Sequence, residues 1–273
     1  MGIVEYIILF ILGTCVGSFL NVVTDRIADG ESVAKGRSHC DHCHRTLAWY
    51  ELIPIGSWII QGGKSRCCGK HLSVQYPLIE LITGAGFVVL FRYLLHGSFP
   101  SPFSFPPVFA FLFSLMIFSS FLVIFLTDFK YEIIPMDIVG VGVIGVVGFH
   151  FAMYTSRFHG EIVPFFTALV PYLLAGAGAF AFFYIIWFIS KGKMMGDGDA
   201  PLAFFIGFLT GYPGIIVALY WAFLTGAAVG VILILGKKKG LKSHIAFGPF
   251  LIIGCAAAIL CGNPILSWWR GLW

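Results

Sequence analysis

The chain alternates long apolar runs with short polar turns, and one polar segment is larger than the rest. A membrane-crossing helix needs about 20 apolar residues. Eight runs reach or approach that length, at roughly 3–24, 75–96, 104–127, 133–153, 162–190, 200–212, 214–235 and 244–262. The pattern predicts an all-α polytopic membrane protein with about eight transmembrane helices. The sixth run is short, and the fifth is long enough to tilt or to extend past the bilayer. The first run has no basic stretch ahead of it, so a span is expected there rather than a cleaved signal. There is no internal repeat and no low-complexity tract.

Composition agrees. Of 273 residues, 59% are hydrophobic and 11% charged, and the mean hydropathy is +0.93. These values exclude an ordinary soluble domain. Charge then orients the spans. With the N-terminus outside, the cytoplasmic places are 25–74, 128–132, 191–199 and 236–243, and they hold 14 of the 17 Lys and Arg residues. Only Arg92, Arg157 and Arg270 fall outside. The positive-inside bias selects this orientation, and the net charge of +4 gives no reason to expect nucleic acid.

Against this apolar background a few polar residues stand out. Met194-Met195-Gly196-Asp197-Gly198-Asp199-Ala200-Pro201 sits between Phe165–Ile189 and Leu202–Leu235, two runs without charge. An acid at a membrane segment costs about 2.5–3.5 kcal/mol on insertion scales, so it marks a functional candidate. The glycines allow a tight turn and close approach of another backbone. A second acid, Asp128, ends the apolar run Phe103–Thr127. The topology brings Asp128 and Asp199 to one membrane face, as a two-carboxylate site needs. A capped, solvated turn is the structural explanation of the same residues.

Residues 25–74 form the polar segment. Cys40-x-x-Cys43 and Cys67-Cys68 have the spacing of a zinc site, and a reducing cytoplasm disfavours disulfides. Ser65 stands where a second Cys-x-x-Cys would begin. The fourth ligand is then Cys67 or one of His39, His42, His44 and His71. Cys15, Cys255 and Cys261 lie in apolar runs and read as core residues. Trp49-Tyr50-Glu51-Leu52-Ile53-Pro54 reads as an interfacial amphipathic piece. Glu80 lies early in the second span, and Asn21 is expected to bond to a neighbouring helix. The outward loop 97–107, rich in Pro and Ser, divides a front part, 1–100, from a six-helix part, 101–273. Lys237–Lys239 anchor the last cytoplasmic loop, and Trp268 to Trp273 form an aromatic anchor.

Taken in order, these pieces resemble the bacterial type IV prepilin peptidases, a family of bifunctional leader peptidases and N-methyltransferases. The resemblance rests on Gly17-Ser18-Phe19-Leu20-Asn21, Cys40-x-x-Cys43, Trp49-Tyr50-Glu51-x-Ile53-Pro54, Tyr76-Pro77-Leu78-Ile79-Glu80, Asp128 with Ile134-Pro135, Gly196-Asp197-Gly198-Asp199 and Phe247-Gly248-Pro249-Phe250. It covers nearly the whole chain. The chain departs from the family pattern at Met194, in the place of a glycine, at Pro201, in the place of a lysine, at Ser65 and at the additional acid Asp197. The resemblance implies an aspartyl peptidase of the Gly-x-Gly-Asp type in the inner membrane, with Asp128 and Asp199 catalytic. It implies prepilin or pseudopilin substrates, with membrane lipid around the spans. It also implies methylation of the new N-terminal amine by S-adenosylmethionine. No nucleotide fingerprint is present, so that activity is implied by resemblance alone. Its residues are sought in the front segment, at Glu51, Gly63 and Glu80, with zinc at Cys40, Cys43, Cys67 and Cys68. Two competing readings are a transporter or channel with membrane-embedded aspartates and an intramembrane protease of the presenilin type.

Overall fold

A computed structural model describes residues 3–33, 35–40, 42–95, 105–158, 163–193, 195–236 and 246–270. Loop residues 97–104, Met194, Lys237–Lys239, Ser243 to Ile245 and the last three residues lie outside these. Among the described residues the chain is helical, with only two isolated bridges, His39 to Thr46 and Lys64 to His71. The helices are α1 (Ile3–Asp29), α2 (Gly56–Ile60), α3 (Gln75–Leu95), α4 (Phe105–Tyr131), α5 (Met136–Phe158), α6 (Val163–Ser190), α7 (Asp199–Leu235) and α8 (Gly248–Arg270). Six of them, α1 and α3 to α7, are long and apolar enough to cross a membrane, and α8 adds a shorter apolar stretch, Gly248–Gly262.

The sequence predicts two spans over the residues of α7, and the helix breaks between them. A straight helix of 37 residues would be about 55 Å long, nearly twice the hydrocarbon thickness. It is not straight. Gly211 has φ 63 and ψ −175, and Tyr212 has φ −90 and ψ 137. The break separates a short first arm from a longer second one, where the polar punctuation Gly211-Tyr212-Pro213-Gly214 predicts it. Just before the break the His150 ring on α5 reaches the helix: its Nε2 lies 3.3 Å from Phe208 O and donates to it in the Nε2–H tautomer.

The chain forms two compact units, Met1–Val123 and Ile124–Trp273, with α4 running through the boundary. In the first, α1 and α3 pack backbone to backbone. A Cβ on Gly13 would stand 2.7 Å from Gly84 Cα, and one on Gly17 would stand 2.8 Å from Glu80 Cα. Small residues permit this approach where lipid supplies no hydrophobic drive between helices. Asn21 Nδ2 donates across the seam to Tyr76 O at 3.3 Å, the interhelical bond its position predicts. In the second unit Gly207 on the first arm of α7 lies against Ala175 and Gly176 of α6. Phe183, Phe205 and Phe208 are fully buried there.

The outer faces stay apolar. Leu174, Phe188, Ile189 and Ile232 are mostly exposed, a surface that suits lipid and not water. Of the cysteines expected in the core, Cys255 is buried, but Cys15 and Cys261 are exposed. An apolar run surrounds a residue on all sides in sequence, yet one helix turns a third or more of its residues away from its neighbours.

Candidate active site and cofactor pocket

The second unit holds a cavity of about 140 Å³ whose wall includes both Asp128 and Asp199. One water fills roughly 10–15 Å³ of such space, so there is room for water and a segment of peptide. Asp128 is carried by the last turn of α4. After it Glu132 takes a left-handed φ of 55, and Pro135 accepts from Ile138 and Val139 as α5 begins. Proline suits that position because it has no N–H to orphan. Asp199 is the first residue of α7. Each carboxylate is only 5% exposed, and each accepts a backbone N–H: Gly248 donates to Asp128 Oδ2 at 2.9 Å, and Gly196 donates to Asp199 Oδ2 at 3.2 Å. The Gly248 donor belongs to the first turn of α8, whose N–H groups have no helical acceptor. Buried carboxylates need such partners.

The two acidic turns meet because glycine lets them. A Cβ on Gly198 would stand 2.6 Å from Ile134 Cβ, and a Cβ on Gly248 would stand 2.5 Å from Asp128 Oδ2. Glu132 and Asp197 also line the cavity, and among the described residues no basic side chain does. Gly248 and Glu132 have no assigned role in the sequence reading. For Gly248 a signal exists: Gly-Pro opens an apolar run, where a helix start leaves free donors.

The first unit holds a cavity of about 180 Å³. Its wall includes Glu51 and Glu80 but not Gly63. Glu51 Oε2 accepts from Ala48 N at 2.8 Å, and Arg45 lies 4.0 Å from it. Glu80 Oε2 accepts from Ile55 N at 2.6 Å. Gly63, with φ +68, lies under the Trp58 ring, which a Cβ would meet at 3.1 Å. Two buried polar atoms of residues in this wall, Asn21 Oδ1 and Trp58 Nε1, have no hydrogen-bond partner among the described residues. The wall therefore suits a ligand with both acceptors and donors.

Beside this cavity Cys40, Cys43, Cys67 and Cys68 bring their sulfurs within 4.8 Å of one another. A tetrahedral zinc with Zn–S near 2.3 Å has S···S edges of about 3.8 Å. Cys40 and Cys68 are 3.8 Å apart, and Cys43 and Cys67 are 3.1 Å apart. The four-thiol set is compatible with zinc, and no histidine belongs to it. The backbone shows why Ser65 reads as a vacated ligand. Cys40 N donates to Arg45 O and His44 N to Cys40 O; Ser65 N donates to Lys70 O and Gly69 N to Ser65 O. His44 and Gly69 both have positive φ. The two loops are copies, with Ser65 in the place of Cys40 and Cys68 in the place of Cys43. Cys67 makes up the missing thiol from the adjacent position. Burial pushes the Cys40 thiol up, but hydrogen bonds from Ser65 and from the His42 and Cys43 backbone outweigh it and hold the group at about 6. Its bond to Cys67 pushes Cys43 up to about 12.

The bacterial peptidase A24 N-terminal domain model matches residues 11–94, and the type IV leader peptidase family model matches residues 115–231. The chain is 30% identical over 264 residues to the prepilin leader peptidase/N-methyltransferase of Bacillus subtilis (strain 168), covering 96% of each. It is 29% identical over 233 residues to a protein of the same name from Myxococcus xanthus, covering 85% of this chain and 64% of that one. The corresponding Xanthomonas campestris protein is 28% identical over 288 residues, with 94% of this chain and 91% of that one covered. No solved structure matches. Likeness of this degree over nearly the full length of both chains means common descent: this chain belongs to the type IV leader peptidase family.

Proposed function

We propose that the chain removes the short basic leader from type IV prepilins or pseudopilins and methylates the N-terminal amine that cleavage exposes. The observation that carries this reading is the pair of buried acids, Asp128 and Asp199, on the wall of one cavity. Two carboxylates in one cavity do not readily hold two negative charges, so they share a proton. The ionised one takes a proton from water, whose oxygen attacks the scissile carbonyl. The protonated one donates a hydrogen bond to the carbonyl oxygen. Collapse of the tetrahedral intermediate breaks the C–N bond, and the acquired proton goes to the leaving amine. The turn at Gly196 leaves space beside Asp199 for an extended backbone.

Methyl transfer is assigned to the front part, residues 1–100, and cleavage to residues 101–273. When bound, S-adenosylmethionine supplies an electrophilic methyl group. Glu51 and Glu80 present negative charge to a cationic ligand from the cavity wall, and Gly63 seats the Trp58 ring. Zinc held by the four cysteines clamps the two loops that carry part of this wall. The Lys and Arg distribution supports an N-terminus outside and a peptidase site at the cytoplasmic face of the inner membrane. The transporter or channel reading is not favoured, because the matching models and relatives bear peptidase names.

The test is to incubate the purified chain with a prepilin and S-adenosylmethionine and weigh the products by mass spectrometry. Loss of the leader and gain of one methyl on the mature N-terminus are expected. An intact precursor, with the enzyme folded, would refute the reading.

A further inference from the structure

On the wall of the first unit's cavity acidic side chains outnumber basic ones. Asp25, Asp29, Glu31, Glu51 and Glu80 line it against Arg26. The Arg26 guanidinium is committed elsewhere: it donates to Ser32 O at 3.2 Å, Val33 O at 3.3 Å and Lys35 O at 3.0 Å. The wall therefore favours a cation. It also contains two unmet polar atoms of opposite kind. Asn21 is 2% exposed; its Nδ2 is used on Gly17 O and Tyr76 O, yet its Oδ1 has no partner among the described residues. Trp58 Nε1 is buried and lacks an acceptor among the described residues. A buried donor or acceptor without a partner carries its full desolvation cost, and such groups in native structures need an explanation.

We infer that Trp58 is a ligand-binding residue of this pocket, its Nε1–H donating to an acceptor on S-adenosylmethionine while Asn21 Oδ1 accepts from a donor on the same molecule. The inference rests on the assignment of methyl transfer to the front part. S-adenosylmethionine has the required chemistry: a sulfonium and an ammonium charge, hydroxyl and amine donors, and ring-nitrogen and carboxylate acceptors. The placement also gives Gly63 a purpose. The residue is outside the wall, but its left-handed backbone passes under the indole, and a side chain there would collide with the ring at Cζ2. Gly63 is thus a positioning residue that acts through Trp58.

Trp58→Phe keeps the ring stack and removes only the donor. The assay is equilibrium titration of the full chain in detergent with S-adenosylmethionine, alongside thermal unfolding without ligand. Loss of one buried hydrogen bond predicts binding about five- to tenfold weaker. Thermal stability of the ligand-free variant should stay level or rise, because an unpaired buried donor is gone. In wild-type chain carrying ¹⁵N-tryptophan, the indole resonance that is missing from Trp58→Phe should move downfield when ligand is added. Wild-type affinity in Trp58→Phe together with an unmoved indole resonance overturns the inference and leaves the methyl-transfer assignment standing. Failure of the wild-type chain to bind at all overturns that assignment and the inference with it. If Trp58→Phe does not fold, Trp58→Leu replaces it for the resonance assignment and the titration.

Discussion

Replacing Gly248 with alanine tests the peptidase geometry without touching a carboxylate. The new Cβ would stand 2.5 Å from Asp128 Oδ2, 3.2 Å from its Cγ and 3.3 Å from Leu202 Cδ2. Ordinary contact begins near 3.4 Å, so the carboxylate must retreat by about 0.9 Å. Gly248 N donates to the same Oδ2 at 2.9 Å, and a retreat of that size leaves the bond too long to count. A misplacement of about 1 Å at a reacting group costs roughly 10²-fold in rate. Loss of a hydrogen bond to a charged group costs about 1.5–3 kcal/mol, the same order. We therefore expect kcat/KM for prepilin cleavage to fall about 100-fold, mostly through kcat, because the displaced group acts in the transition state. Gly248 does not require a left-handed backbone, so the helix start tolerates alanine and the variant should fold. The assay is cleavage of purified prepilin followed by mass spectrometry, with thermal unfolding as the folding control. Methylation of precleaved pilin, assigned to the other part of the chain, should change less than twofold. A folded Gly248→Ala enzyme that cleaves within threefold of wild type would show that Asp128 does not depend on this contact, and the proposed site would lose its support.

Four further outcomes follow from the same geometry. Asp128→Asn and Asp199→Asn should each abolish cleavage in a folded chain, while Asp197→Asn, altering an exposed residue, should be mild; product formation over time separates them. Zinc should co-purify at about one ion per chain, and Ser65→Cys, which places a thiol where the loop copy expects one, should slow its removal by a chelator. Glu51→Gln should cleave prepilin yet leave most of the mature N-terminus unmethylated, as read from the mass of the N-terminal peptide. Gly17→Ala forces a methyl to within 2.8 Å of Glu80 Cα and should lower stability by about 1–3 kcal/mol in thermal or denaturant unfolding.

The helical fold was legible because bilayer physics is local. An apolar run must satisfy its backbone internally, so length and hydropathy alone set the spans. The break in α7 was legible at Gly211-Tyr212-Pro213-Gly214 for a similar reason: glycine permits the positive φ and proline removes a donor. Asp128 and Asp199 were conspicuous as acids at the ends of uncharged runs, and Cys40 and Cys43 as a ligand spacing. What distance along the chain does not encode is which groups meet. Gly248 reaches Asp128 across 120 residues, and Glu80 takes its proton donor from Ile55. Cys68 answers to Cys43 because two loops repeat one backbone pattern, which the residue names conceal. Cys15 and Cys261 face outward although their runs look like core. Hydropathy measures the solvent a helix is dissolved in, whereas the facing of one side chain depends on the neighbour that packs against it. Those pairings are tertiary, set by close backbone approach at glycines and by buried polar groups seeking partners, and only the folded chain decides them.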